Sequence, residues 1–250
     1  MLPRFHFPDL PATAGELQLP AAISHHAINV LRLGKGDALV LFDGRGHEAA
    51  ARIAEPNKQA MRVMLEHSTT LNRETPVHVT LVQALPSGDK MDWIVEKCTE
   101  LGISAIQPVQ SARSVVKLSE ERAAKKQARW QDIAISACGQ CGRNVVPEIL
   151  PVLSFNAWVS RCAGSAPAND LRLLMDLGAD IPRLSRFDFA PHAEKPLTVM
   201  VGPEGAFTDE EIQQAKSTDF QAINLGQRIL RTETAGIAFM AALNTLRGDF

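Results

Sequence analysis

The sequence predicts an α/β protein in two parts: a small β-barrel-like module over residues 1–72 and a mainly parallel α/β domain over residues 73–250. Three observations predict it. Before residue 72, short β-like runs are separated by turn residues. From Val77 onward, strand-like and helix-like stretches alternate, the pattern of a parallel sheet covered by helices. Finally, two glycine-bearing turns, at residues 202–207 and 225–235, each follow an apolar run and lead into a helix. Such turns lie at the carboxyl edge of an open α/β sheet, where small molecules bind.

The elements follow in order. Residues 25–33 carry a short helical pattern. Residues 38–42, 47–54 and 61–65 read as strands, with Asp43-Gly44 and Pro56-Asn57 as turns. The pattern changes at Asn72-Arg73-Glu74-Thr75-Pro76, which sets the boundary. Beyond it, strands are expected at 77–85, 103–109, 171–177, 197–201 and 222–225. A helix over 89–101 places Met91, Ile94, Val95, Cys98 and Leu101 on one face, with Gly102 as its stop. A second helix runs from Glu120 to about Cys138 after a Ser119 cap. Thr208-Asp209-Glu210-Glu211 is a capping box that opens a helix just past the first glycine turn. The last helix, 234–247, is apolar nearly all round and is expected to be buried on several sides, in a core or a subunit interface.

Composition bounds the function. The chain has 250 residues, 45% of them apolar, enough for a sizeable core. A net charge of -2 argues against a generally basic nucleic-acid coat protein, although a local basic patch remains open. No apolar run approaches membrane-span length, the start carries no apolar signal segment, and four cysteines make no disulfide scaffold. These features suggest a soluble, cytoplasmic protein.

The chemistry concentrates in the two turns. In Gly202-Pro203-Glu204-Gly205-Ala206-Phe207, Pro203 has no N–H and Glu204 is an anion, so a phosphate is disfavoured and a neutral or cationic ligand fits better. The plainer reading is a tight turn before a capped helix. In the second turn, Leu225, Ile229 and Leu230 form an apolar slot and Gly226 admits close backbone approach, with Arg231, Thr232, Glu233 and Thr234 following. There the plainer reading is a surface Arg231–Glu233 pair. Cys138-Gly139-Gln140-Cys141 matches C-x-x-C. It stands at the end of a helical run, where the dipole opposes a thiolate, which argues against redox chemistry or zinc. His26 with Arg32, and the basic run Arg122, Lys125, Lys126 and Arg129, read either as RNA contacts or as solvated helix faces.

Taken together, these residues carry a resemblance. Arg4-Phe5, His26, Val30-Leu31-Arg32, Phe42-Asp43-Gly44, Lys90-Met91-Asp92, Lys97, Glu100-Leu101-Gly102, Gln140-Cys141-Gly142-Arg143-Asn144, Pro147 and the paired turns are similar to the 16S rRNA (uracil(1498)-N3)-methyltransferases. That family belongs to the SPOUT class of RNA methyltransferases, which use S-adenosylmethionine. The resemblance implies a PUA-like β-barrel that grips RNA, a C-terminal trefoil knot and a homodimer acting on 16S rRNA of the small ribosomal subunit, without a metal. It implies a cofactor site from Leu174, Leu177, Val201, Gly202, Pro203, Glu204, Gly205, Leu225, Gly226, Ile229, Leu230, Thr234 and Ala235. It further implies Arg231 and Glu233 as catalytic residues, Arg231 stabilising charge and Glu233 as a candidate base. Arg4, His26, Arg32, Gln140 and Arg143 become candidate RNA contacts. The chain departs from the family at Ala206, usually glycine and strained if its φ is positive, and at Gly139, often glutamate. A non-catalytic RNA-binding protein of the same fold, a nucleotide-dependent α/β enzyme and a C-x-x-C redox protein are the alternatives.

Overall fold

A computed structural model describes residues 2–164, 170–178, 180–193, 195–247 and 249–250. The chain forms two compact units. One comprises Met1–Glu74 with Ile135–Val146, the other Thr75–Ala134 with Pro147–Phe250.

In the first unit, β1 (Arg4–His6), β2 (Gly15–Gln18), α1 (Ala21–His25), β3 (Ala38–Phe42), β4 (His47–Glu55), β5 (Arg62–Leu65) and β6 (Thr69–Thr70) follow in sequence. The sheet order is β1-β3-β4-β5-β2, with β6 on β4; β1 pairs with β3 in parallel and the other pairs are antiparallel. Alternation does the work here. Ala49, Ala51 and Ile53 of β4 and Val63 and Leu65 of β5 point into one core with Phe5, Leu39 and Leu41. The helical pattern expected over 25–33 starts earlier, just after Pro20, which suits a helix entry. It passes into one π-helical turn (His26–Val30) and stops where Arg32 takes φ 58.

Residues 135–146 join this unit through polar contacts. The buried Arg4 side chain bonds Glu48 at 2.8 Å and Asn144 Oδ1 at 2.5 Å. Arg143 Nε donates to Glu74 Oε2 at 3.0 Å.

The second unit contains β7 (Val79–Ala84), α2 (Lys90–Glu100), β8 (Ala105–Gln110), the start of α3 (Glu120–Cys141), β9 (Glu148–Ile149), β10 (Leu153–Ser154), α4 (Phe155–Gly164), β11 (Leu171–Met175), β12 (Leu197–Val201), α5 (Asp209–Lys216), β13 (Gln221–Ile223) and α6 (Thr232–Arg247). Every strand pairing is parallel, in the order β10-β8-β7-β12-β11-β13, with β9 also on β8. Both faces are covered, which is why its strands read as continuous apolar runs. Val82, Leu174 and Met200 pack with Phe155 and Trp158 of α4 and Ala215 of α5. On the opposite face Gly236 of α6 lies so close to Leu81 that an added Cβ would stand 3.2 Å from its methyl. Because the strands are parallel, the segments after β7, β11, β12 and β13 emerge at one edge, and the site lies there.

Candidate active site

The first turn leaves β12 at Gly202. A Cβ at Gly202 would stand 3.2 Å from the Phe207 backbone nitrogen, so a side chain there would crowd the turn as it folds back on itself. Ala206 N–H closes the turn on the Pro203 carbonyl at 2.9 Å, and Ala206 adopts φ 56. The predicted capping box then starts α5: Thr208 Oγ1 accepts from Glu211 N–H at 3.2 Å and Glu211 Oε2 accepts from Thr208 N–H at 3.0 Å.

The second turn leaves β13. Asn224 holds it, its Nδ2 donating to the Ile181 carbonyl at 2.7 Å and its Oδ1 accepting from Gly226 N–H at 3.1 Å. Gly226 has φ 129, and the position a Cβ would take is open space. The two turns are tied together underneath. Thr232 Oγ1 donates to the Gly202 carbonyl at 2.6 Å while accepting from Gln83 Nε2 at 2.9 Å. The fully buried Gln83 amide thereby fixes the direction of the hydroxyl proton.

Between the turns and the segment after β11 lies a cleft of about 350 Å³, within the range of small-molecule sites. Val201, Phe207, Leu225, Ile229 and Leu230 give it apolar walls, and Lys90, Asp176, Glu204, Arg228 and Arg231 its charges. Glu204 Oε1 accepts from Lys90 Nζ at 2.6 Å and from Ser87 Oγ at 2.6 Å and N–H at 3.0 Å. Burial pushes the Glu204 carboxyl up, but these bonds outweigh it and hold its pKa down at about 2. Glu204 is therefore an anion with its own cation, which leaves the turn no place for a phosphate.

The structure brings most predicted cofactor residues to this cleft: Leu177, Val201, Gly202, Pro203, Glu204, Leu225, Gly226, Ile229, Leu230 and Ala235 line it. Leu174, Gly205 and Thr234 do not. Leu174 is fully buried in the core against α4 and α5, because strand alternation turns it into the sheet face; Met175 and Asp176 reach the cleft instead. Gly205 is exposed, with its carbonyl taken by Arg113 at 2.9 Å, and Thr234 points to solvent. Of the predicted catalytic pair, Arg231 lines the cleft with its side chain 83% exposed. Glu233 lies off the cleft wall, its Oε1 4.0 Å from Arg231 and its Oε2 3.8 Å from Lys90. Sequence reasoning missed Lys90 and Asn224 as site residues. Lys90 carried a signal: it opens α2, where the helix dipole disfavours a cation.

The predicted RNA contacts divide. His26, Arg32 and Gln140 are exposed on the first unit. The Arg4 and Arg143 side chains are buried and paired with Glu48 and Glu74 within that unit. Cys138 lies in the last turn of α3, and burial pushes its thiol up to about 12, which keeps it protonated and unreactive. Among the described residues no group of His, Cys, Asp and Glu is placed to hold a metal, and no helix is long and apolar enough to cross a membrane.

Residues 73–244 match the model of an RNA methyltransferase domain, and residues 19–64 that of an RNA methyltransferase PUA domain. A Bacillus subtilis relative named ribosomal RNA small subunit methyltransferase E is 34% identical over 239 residues, 90% of each chain. A Synechocystis relative of the same name is 34% identical over 231 residues, 91% of this chain and 72% of its own. Among solved structures, a ribosomal RNA small subunit methyltransferase E from Neisseria gonorrhoeae bound to S-adenosyl methionine is similar with a TM-score of 0.89, at 41% identity over 98% of both chains. A putative methyltransferase from Legionella pneumophila in complex with bound SAM gives the same TM-score at 32% identity and the same coverage. With its PUA segment, its methyltransferase segment and these full-length relatives, the chain belongs to the RNA methyltransferase family named ribosomal RNA small subunit methyltransferase E.

Proposed function

We propose that this protein methylates N3 of a uridine in 16S rRNA of the small ribosomal subunit, the uridine that names the family it resembles, using S-adenosylmethionine, in the cytoplasm and as a homodimer. The carrying observation is the cleft between the paired turns. Its apolar walls, its partnered carboxylate and its proline in place of an N–H suit a cationic, phosphate-free cofactor. Val201, Gly202, Leu225, Gly226, Ile229 and Leu230 would hold that cofactor through backbone groups and apolar contact. Bound there, S-adenosylmethionine supplies an electrophilic methyl group on a sulfonium. The trefoil knot is part of the proposal; the return of β13 to the far side of β11, after β12 has paired on the near side, supports it.

The chain's own residues supply orientation and electrostatics. Uracil N3 is a poor nucleophile until it loses its proton, and negative charge then spreads to the flanking carbonyl oxygens. Arg231 does not give up its proton, so its role is to stabilise that charge. The Gln83–Thr232–Gly202 chain of hydrogen bonds fixes the turns beforehand, so that little reorganisation is left for the reaction. RNA contacts are assigned to His26, Arg32 and Gln140 of the first unit, whose exposure supports that role, ahead of Arg4 and Arg143, whose side chains are buried on carboxylates.

The test is mass spectrometry of small-subunit RNA after incubation with protein and S-adenosylmethionine. A single added methyl on uridine N3 is expected. Arg231→Ala should fold and bind the cofactor yet lose about 100-fold in turnover, the usual scale for removing one charge-stabilising donor. Turnover equal to the wild type would remove Arg231 from the mechanism.

A further inference from the structure

Lys90 is a basic residue where physics prefers an acidic one. It is the first residue of α2, beside the positive end of the helix dipole. Two carboxylates from different segments offset that: Glu204 Oε1 of the first turn at 2.6 Å and Glu233 Oε2 of α6 at 3.8 Å. The Glu233 Oε2 atom is buried and has no hydrogen-bond partner, a costly state for a carboxylate oxygen unless a neighbouring charge compensates it. At 3.8 Å it is outside hydrogen-bonding range of Lys90. The ammonium has three donors, and Glu204 occupies one. Lys90 lines the cleft and Glu233 does not. The arrangement therefore presents the Lys90–Glu204 pair to the cleft and places Glu233 behind it as a support.

We propose that Lys90 is a second catalytic cation, one that stabilises the charge on a uracil carbonyl oxygen as N3 is deprotonated, with Glu204 and Glu233 as its positioning residues. The inference rests on the uridine-N3 reading of the cleft. Uracil N3 stands between two carbonyl oxygens, and Lys90 and Arg231, close enough for the charge of one to be felt at the other, are two of the cations lining the cleft that can meet them. The N3 proton passes to solvent hydroxide. The N3 electron pair then forms the bond to the methyl carbon as the carbon–sulfur pair returns to sulfur. Lys90 does not take that proton: its hydrogen bond to Glu204, with the nearby charges of Glu204 and Glu233, raises its pKa and keeps it an ammonium. Arg231 is the further charge that acts on it, with a field that opposes its protonation, and Asp176 and Arg228 line the same cleft.

The experiment compares wild type, Lys90→Gln and Lys90→Arg on two RNA substrates, one with uridine and one with 5-fluorouridine, whose fluorine acidifies N3–H. Turnover is followed against pH, cofactor affinity by calorimetry and folding by thermal melting. On uridine RNA, Lys90→Gln should lose about 100-fold in kcat with cofactor affinity changed by less than about threefold. The deficit should shrink by about tenfold on 5-fluorouridine RNA and as pH rises toward uracil ionisation, and Lys90→Arg should recover most of the activity. An equal deficit on both substrates at every pH, wild-type turnover, or a loss explained by cofactor affinity or melting would overturn the role of Lys90. A wild type that places no methyl on uridine N3 would overturn the reading of the cleft itself, and that arm is scored before any variant.

Discussion

Ala206 occupies the left-handed region at φ 56, directly after the turn that Pro203 and Ala206 close by a hydrogen bond. An L-residue held there carries about 1 kcal/mol of steric strain. Glycine would remove it, at the cost of some extra freedom in the unfolded chain. Ala206→Gly should therefore stabilise the protein by about 0.5 kcal/mol, a rise of 1–2 °C or so in Tm for a unit of this size, read by calorimetry. A lower Tm would mean that contacts made by the Ala206 methyl outweigh its backbone strain. Gly226 is the converse case. Its φ of 129 belongs to glycine, while open space lies where a side chain would go. Backbone conformation, and not crowding within the chain, explains the glycine there.

At the scale of elements, legibility followed burial. The run 197–201 reads as a strand and is one, because a strand covered on both faces writes an unbroken apolar run into its sequence. The α2 stripe was legible because one helical face packs in the core. β9 and β10, two residues each, are too short to show a period, and β1 carries only Phe5 as a buried residue. The site was legible where backbone demands showed, in the glycine turns and the capping box. It was illegible where partners decide the role of a charge. Arg143 looks like a phosphate ligand in one dimension; folded, it is a buried cation on Glu74, just beyond the end of α3. Arg143→Ala should cost about 3 kcal/mol of stability, because Glu74 loses its cation. RNA affinity should stay nearly unchanged once the protein is held below its melting temperature. A filter-binding series at several salt concentrations would decide: a shallower salt slope without loss of Tm would return Arg143 to the RNA interface.

At the scale of the whole molecule, α6 was expected to be buried on several sides, in a core or a subunit interface, and the chain by itself covers one of its faces. One face, with Ala235, Phe239, Met240 and Leu243, is buried in the second unit, whereas Ile237, Ala238, Ala241 and Ala242 stay half-exposed and Leu246 is 48% exposed. A single chain thus leaves an apolar stripe along its last helix, with small residues that let another surface come close. Stripes of this kind on a soluble protein mark an interaction surface. A two-fold interface is self-complementary, so one helix face on each of two copies can meet its own equivalent. If the proposed homodimer forms through this stripe, a charge at Ile237 is placed twice across the axis and must be desolvated twice. Ile237→Asp should then halve the mass seen by sedimentation at micromolar concentration while the circular dichroism of the fold persists. Because Ala235 on the same helix lines the cleft, methyl transfer should fall with the dimer and return as protein concentration is raised. A variant that keeps the dimer mass would place the interface elsewhere on the molecule; one that becomes monomeric and keeps full activity would show that each copy holds a complete site.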